Sequence, residues 1–168
     1  MKKILIAGIL FGISVSLFAQ SFKFGHIDSQ ELISSMPATD SAQAKLRKLT
    51  QDLEEQLELM NVELNNKYEN YLSKRDSYSE LIRQTKEAEI QEMQQRIQKF
   101  QMEADNDLQT QRTKLLQPIQ EKALKAVQDV AREQKFTYIF DIGTGAIPYY
   151  SDQSIDIMPM VKKKLGIE

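Results

Sequence analysis

Cysteine is absent from this sequence, and histidine occurs only once, as His26. The lack of cysteine excludes disulfides, thiol catalysis, thiolate metal sites and an acylated lipoprotein anchor. A single histidine without a partner is typical of structural packing. The sequence also lacks a nucleophile–base pair, a glycine-rich phosphate loop and a metal-ligand cluster. We therefore expect a protein that is not an enzyme and that binds no cofactor and no metal.

Tryptophan is absent too, and aromatic residues make up only 8% of the chain, so a large globular core is not expected. The 22 basic and 24 acidic residues give a formal charge of -2. Loss of Lys2 and Lys3 with a signal peptide would change that charge to -4. Nucleic-acid binders usually carry a basic stripe, so we expect no nucleic-acid partner.

Long hydrophobic runs are missing except at the N-terminus, where an apolar run over residues 4–18 follows Lys2 and Lys3. This pattern predicts a secretory signal peptide over residues 1–19, cleaved near Ala19. The alternative is a retained membrane anchor, but the run falls short of the roughly 20 residues that span a bilayer. We therefore expect export.

Between residues 39 and 135 the chain has no glycine and a single proline, Pro118. Apolar residues recur there in two stripes, one from Leu46 to Ile82 and one from Ile90 to Val130, at about 3.6 residues per apolar position. One narrow stripe cannot bury itself, so the helix must fold back or find partners. The sequence predicts an antiparallel helical hairpin over residues 38–117, about 60 to 70 Å long.

The turn of this hairpin is predicted between Asp76 and Lys86, because serine and threonine interrupt the stripes there. Residues 77–80, Ser-Tyr-Ser-Glu, match a capping box that opens a helix. Arms of equal length would also place the turn near the midpoint of the stretch, close to residue 87.

Residues 20–37 and 118–168 are predicted to form one small body, divided in the sequence by the hairpin. Residues 22–28 alternate as a strand, Asp28 caps a short helix over residues 30–35, and Pro37 ends that helix. Thr39 or Asp40 is expected to cap the first arm.

The C-terminal part of the body begins with the strongest strand of the sequence, residues 136–141, and residues 146–151 are its expected hairpin partner. Asp156 is expected to cap a final helix that ends at Leu165, just before Gly166. Asp28 and Asp156 are interpreted as helix caps and not as an acid–base pair.

The predicted fold class is thus mostly α, with a long antiparallel helical hairpin inserted into a small, β-rich α/β body. A core of this size is marginal alone and is usually rescued by oligomerisation, so we interpret the body as an oligomerisation module. The candidate residues for this role are Phe24, Ile27, Tyr138, Phe140, Ile147 and Tyr149.

The order of these elements resembles the Skp/OmpH family of periplasmic chaperones over essentially the whole mature chain. The resemblance rests on the opening strand at residues 23–28, the helical hairpin, the strand at residues 138–141, and the closing Tyr149, Tyr150 and Ser151 before Asp156 and a terminal helix. It implies a homotrimer of jellyfish-like architecture, in which a β-rich base carries three helical tentacles around a cavity.

The resemblance also implies a periplasmic holdase that keeps unfolded outer-membrane proteins soluble without ATP until they reach the assembly machinery. Contact with the membrane would then be only indirect. One feature departs from the family, whose well-studied members are strongly basic: this chain has a pI of about 5.6. It also carries an acidic run with no lysine or arginine inside it, formed by Asp52, Glu54, Glu55, Glu58 and Glu63.

Adaptable methionine and aromatic side chains suit promiscuous contact with unfolded chains. The candidate client-binding residues are Met102, Tyr78, Met60, Tyr71, Met93 and Phe100. Most of them lie on the interhelical stripe, where core packing is the ordinary explanation. Met102 falls off the stripe and Tyr78 lies near the tip, which favours these two. The alternative function is that of a structural coiled-coil adaptor of the cell envelope, with one tight partner in place of many unfolded ones.

Overall fold

The computed structural model describes residues 22–167, so the predicted signal peptide and its cleavage near Ala19 lie outside the described residues. The fold consists of a helical hairpin on a small α/β body. Three short strands and two short helices form the body together with the far end of the hairpin's second helix. The strands are β1 (Phe24–Ile27), β2 (Tyr138–Asp141) and β3 (Ile155–Asp156), and the helices are α1 (Ser29–Ser34), α2 (Pro37–Lys74), α3 (Glu80–Glu133) and α4 (Met158–Leu165).

The hairpin is formed by α2 and α3, which have 38 and 54 residues. At 1.5 Å per residue α2 is about 57 Å long, close to the expected length of the arm. Helix α3 is longer because it continues through Pro118 into the body, where Ile119, Ala123 and Val130 are buried. The predicted antiparallel hairpin is confirmed.

The turn between the arms lies at the early edge of the predicted interval. A 3₁₀ turn occupies Arg75–Ser77, and α3 begins at Glu80. The expectation of a turn close to residue 87 was wrong, because the stretch whose midpoint was used includes the end of α3, which packs in the body and not in the hairpin. The cap is Ser79 and not Ser77: the Ser79 hydroxyl accepts a long 3.5 Å hydrogen bond from the Ile82 amide. Ser77 instead closes the 3₁₀ turn by donating to the Lys74 carbonyl at 2.7 Å.

The first arm begins earlier than predicted, at Pro37, whose missing N–H costs nothing at the first helical position. Thr39 and Asp40 are therefore already inside the helix, and the prediction that one of them caps it was wrong. The buried Thr39 hydroxyl donates to the Ile33 carbonyl at 2.5 Å, which ties α2 to α1.

The three strands form a parallel sheet in the order β2-β1-β3. The prediction that residues 146–151 pair with β2 in a hairpin was wrong, because that segment is not a strand and β2 pairs instead with β1. Parallel neighbours need a long crossover, and the whole helical hairpin serves as the crossover between β1 and β2. In the register, Phe24 lies opposite Tyr138 and Ile27 opposite Asp141.

The core of the body lies between the inner face of the sheet and the helices. Its most deeply buried side chains are Leu32, Ile157 and Val161, and Ile27 joins them from β1. Core residues come from both ends of the chain, from Ile27 to Ala42 and from Ile119 to Val161. The division of the chain at residues 37 and 118 stays a prediction.

Aspartates lie at the carboxyl ends of all three strands and fix the connections that follow. Asp28 accepts hydrogen bonds from the Gln30 and Glu31 amides at 2.9 Å, and Asp156 accepts one from the Met158 amide at 2.8 Å. The predicted cap at Asp28 is confirmed, and the final helix ends at Leu165 with Gly166 in the left-handed conformation, as expected.

Asp141 ties the end of β2 to the start of α1. Its carboxylate accepts hydrogen bonds from the Ser29 amide at 3.1 Å, the Ser29 hydroxyl at 2.5 Å and the Gly143 amide at 3.0 Å. Burial disfavours the charged form, but these hydrogen bonds outweigh it, so the pKa of Asp141 lies below its ordinary value. The ionised carboxylate therefore contributes to the folded state.

None of the helices within residues 22–167 has both the length and the apolar composition needed to cross a bilayer.

Candidate functional site

One face of the sheet carries a row of open aromatic rings. Phe24 is 40% exposed, Tyr138 62% and Phe140 39%. The Phe24 ring lies 6.2 Å from that of Tyr138 and 6.3 Å from that of Phe140, between ring centroids. Phe22, which is also exposed, extends the row at 6.3 Å from Phe24. We call these four residues the aromatic face.

The other half of the same sheet face is covered by the chain itself. The His26 ring lies 4.2 Å from the ring of Tyr150, and its Nδ1 is 2.9 Å from the Ser154 hydroxyl. His26 is consequently buried, as its predicted packing role requires. Parallel sheets normally have both faces covered. The aromatic face is therefore left uncovered within the single chain.

The predicted oligomerisation residues are not all in the same place. Phe24, Tyr138 and Phe140 lie together on the aromatic face, whereas Ile27 is only 3% exposed and belongs to the core behind the sheet. Ile147 is half-buried and Tyr149 is exposed, both in the segment between β2 and β3. The prediction omitted Phe22, although the alternation of Phe22, Phe24 and His26 had indicated a common face.

The candidate client-binding residues are divided between the seam of the hairpin and its surface. Met60, Met93 and Ile97 form a buried cluster between the arms, with Phe100 partly buried against it. Tyr71 is buried nearer the tip, and Tyr78 is half-buried at the turn. Met102, in contrast, is 62% exposed. Among the six candidates, Met102 is the one that is freely accessible in this arrangement of the arms.

Polar side chains fasten the hairpin close to its tip. The Tyr71 hydroxyl donates a hydrogen bond to Glu87 Oε1 on the opposite arm. This hydrogen bond raises the pKa of Tyr71, and burial acts in the same direction. On α3, Lys86 donates to both carboxylate oxygens of Glu89 at 2.9 Å, which lowers the pKa of the Glu89 carboxyl.

A second set of apolar side chains is exposed on the outer half of the hairpin. The sequence interpretation assigned two of them, Tyr68 and Ile82, to the interhelical stripe and did not consider the others. The sequence could have indicated the other four, because they are apolar residues that lie between the stripe positions. The exposed set comprises Leu59, Val62, Tyr68, Leu72, Leu81 and Ile82, with Leu81 the most open at 74%.

These features define a class of protein: a small parallel-sheet body with one bare aromatic face, carrying a long helical hairpin with exposed apolar side chains. In the part of the chain that the structure describes, no group of three histidine, aspartate or glutamate side chains could hold a metal ion. Such an arrangement can bind other chains through apolar contact.

The chain belongs to the family of OmpH-like outer membrane proteins, whose family model matches residues 23–165. A search of curated proteins gives no match. The fold is similar to the crystal structure of a protein described as an OmpH-like outer membrane chaperone from Caulobacter crescentus CB15, with a TM-score of 0.74. The similarity covers 87% of this chain and 83% of the other, at 16% sequence identity, so it shows the fold alone. The expected fold class and the Skp/OmpH family are confirmed.

Proposed function

We propose that this protein is an ATP-independent holdase of the periplasm, which binds unfolded outer-membrane β-barrel proteins and prevents their aggregation on the way to the outer membrane. The observation that carries the proposal is the exposed apolar surface of the arms, from Leu59 to Ile82 and at Met102. Membership of the OmpH-like family supports it, as does the similarity in fold to the Caulobacter protein described as an OmpH-like outer membrane chaperone.

The mechanism follows from the chemistry of the client. An unfolded barrel protein exposes strands of alternating apolar residues, whose free edges pair with other chains and aggregate. Scattered apolar contacts such as Leu72, Leu81 and Met102 hold such a chain weakly at many points. Each contact breaks easily, so release requires no nucleotide. Adaptable side chains accept many sequences, which suits a binder of diverse clients.

The proposal includes association of several copies of the chain through the aromatic face. The aromatic face leaves a parallel sheet bare on one side, and a second copy of the chain would cover it with rings of the same kind. Three copies joined at this face would set three hairpins around a central cavity, in the arrangement that family resemblance implies. Clients held inside such a cavity would be shielded from one another.

The client-binding residues fall into two groups under this proposal. Met102 and Tyr78, with the exposed set on the outer arms, contact the client directly. Met60, Met93 and Tyr71 are buried in the seam and would reach a client only if the arms parted, whereas Phe100 is only partly buried against the seam. Contact with the membrane is indirect, through the client.

The test is light scattering of an outer-membrane barrel protein diluted out of urea, with and without the purified mature chain and without nucleotide. Suppression at about one oligomer per client is the expected result. Unchanged aggregation would overturn the proposal and would favour the envelope adaptor, which should instead bind one folded partner tightly.

A further inference from the structure

The middle of the arm is the least tightly packed part of the hairpin. Toward the tip the seam is filled by Met60, Met93 and Ile97, and toward the body by Ala42 and Ile119. Between these two layers, among the described residues of α2 and α3, no side chain is buried. The two helices therefore leave part of their apolar stripe open to solvent.

A groove of about 380 Å³ runs along this open stretch. Apolar side chains from both helices line it, and the carboxylates of Glu54 and Asp105 lie on its rim. The apolar lining consists of Leu53, Leu57, Phe100, Ala104 and Leu108. We call this site the mid-arm groove. Its volume suits one or two large apolar side chains of a binding partner.

The charge along the mid-arm groove is mainly negative. Residues 49–66 of α2 contain five acidic and no basic residues, and residues 100–111 of α3 contain three acidic and no basic residues. Lysines that flank these segments pair with Asp52, Glu63 and Glu103. In these two segments, the acidic residues that form no salt bridge within residues 22–167 are Glu54, Glu55, Glu58, Asp105 and Asp107.

On the body side, Arg47 and Arg112 line the adjoining groove together with Glu54. Neither forms a salt bridge with Glu54 among the described residues. The rim carboxylates of Glu54 and Asp105 consequently remain exposed and available to a cation from another molecule.

We propose that the mid-arm groove binds an extended segment of a client chain in which apolar side chains alternate with lysine or arginine. The apolar side chain enters the groove between α2 and α3, and the cationic side chain pairs with Glu54 or Asp105 on the rim. This inference rests on the proposed holdase function and adds to it a class of preferred client segment.

The negative charge of the groove favours a cationic client segment over a second copy of the chain or a phosphate-bearing ligand. The same acidic segments on a second copy of the chain would repel this one, so two mid-arm grooves do not associate with each other. Phosphate groups of lipids or nucleic acids would be repelled for the same reason. A cationic and apolar segment satisfies both the apolar lining and the rim.

The experiment compares three short synthetic peptides that share the same apolar residues and differ in the alternating residue, which is lysine, glutamine or glutamate. Fluorescence anisotropy with the mature protein at low salt should give about tenfold tighter binding for the lysine peptide than for the glutamate peptide, with glutamine between them. Raising the ionic strength from about 0.01 M to about 0.3 M should remove most of this preference, since exposed charges are screened.

Two double variants and two single variants test the location of the site. The double variant at Glu54 and Asp105 is called the rim pair, and the double variant at Glu69 and Glu92 is its control. Glu54→Gln with Asp105→Asn should weaken binding of the lysine peptide about threefold to tenfold. Glu69→Gln with Glu92→Gln removes the same charge outside the two acidic segments and should leave binding unchanged. Ala104→Leu fills the groove and should weaken all three peptides, whereas Ala88→Leu, on an exposed position of the same helix, should not.

The outcomes separate this inference from the holdase function. Equal binding of the three peptides, or equal loss in the rim pair and its control, overturns the mid-arm groove as a cation-selective site, even if the wild-type chain suppresses aggregation. Selective loss in the rim pair supports it. If the wild-type chain fails to suppress aggregation but binds the lysine peptide selectively, the holdase proposal fails and the site stands.

Discussion

Tyr71 on the first arm donates its hydroxyl hydrogen to Glu87 on the second, and this bond joins the two helices close to the turn. The phenol is buried, and only its neutral form can donate. The tip of the hairpin is thus fastened by a bond that depends on the protonation of one tyrosine.

Replacement of Tyr71 by phenylalanine should lower the thermal stability of the hairpin, because Glu87 loses its partner. The raised pKa of Tyr71 means that this stabilisation is complete below about pH 10 and is lost as the pH rises through the folded-state value. Alkaline titration followed by tyrosinate absorbance should show the late ionisation of Tyr71 in the wild type, and this late phase should be missing in the variant. Tyr68→Phe, at an exposed position, should retain the late ionisation; its loss there would contradict the assignment.

Replacement of Ser29 by alanine should destabilise the body by about 1 kcal/mol at neutral pH, since Asp141 loses the hydrogen bond from the Ser29 hydroxyl. The pKa of Asp141 is depressed in the folded state, so its contribution is present above the unfolded value and is lost as the pH falls through the folded one. Urea unfolding at neutral and acidic pH measures the effect, which should shrink in acid. Ser41→Ala, an exposed position, serves as the control, and an equal loss there would argue against a specific role for Ser29.

Gly143 cannot carry a side chain without moving Asp28. A Cβ at this position would lie 2.4 Å from Asp28 Oδ1, the oxygen that caps α1. Gly143→Ala should therefore cost about 1 to 3 kcal/mol of stability. In the double variant with Asp28→Ala the added cost of the alanine should be smaller, because the clashing group is gone. Strictly additive effects in chemical denaturation would refute the proposed contact.

Met93 and Met102 lie on the same helix and should respond oppositely to substitution. Met93 is 1% exposed in the seam, so Met93→Ala should cost about 2 to 5 kcal/mol of stability. Met102→Ser should leave thermal unfolding nearly unchanged and should weaken suppression of client aggregation. If Met102→Ser unfolds the protein, or if it leaves chaperone activity intact, Met102 is not a client contact.

The aromatic face should control self-association. A lysine at Tyr138 places a charge among Phe22, Phe24 and Phe140, so Tyr138→Lys should shift the sedimentation mass toward the monomer while helical circular dichroism is retained. Tyr149→Lys, at a position that is more exposed and lies outside the aromatic face, should keep the wild-type mass. A monomeric wild-type chain at micromolar concentration would overturn the proposal.

Local sequence patterns predicted the helices correctly. They failed for the cap and the position of the turn, which depend on contacts with other parts of the fold. The stripe of Met60, Met93 and Ile97 predicted which residues the seam buries. Ser77 was a reasonable cap by its motif, but the hydroxyl was needed to close the 3₁₀ turn. The midpoint of residues 39–135 placed the turn too late, because that stretch includes the end of α3, which packs in the body.

The sequence by itself determined the helical hairpin, the cap at Asp28 and the end of the last helix, because each depends on contacts within a few residues. Only the tertiary structure decided that β2 pairs with β1 in a parallel sheet and that residues 146–151 form no strand. Strand pairing joins residues more than a hundred positions apart. The alternating pattern of a strand does not indicate which other strand pairs with it. The same long-range packing brought Phe24 beside Tyr138 and left the aromatic face and the mid-arm groove open.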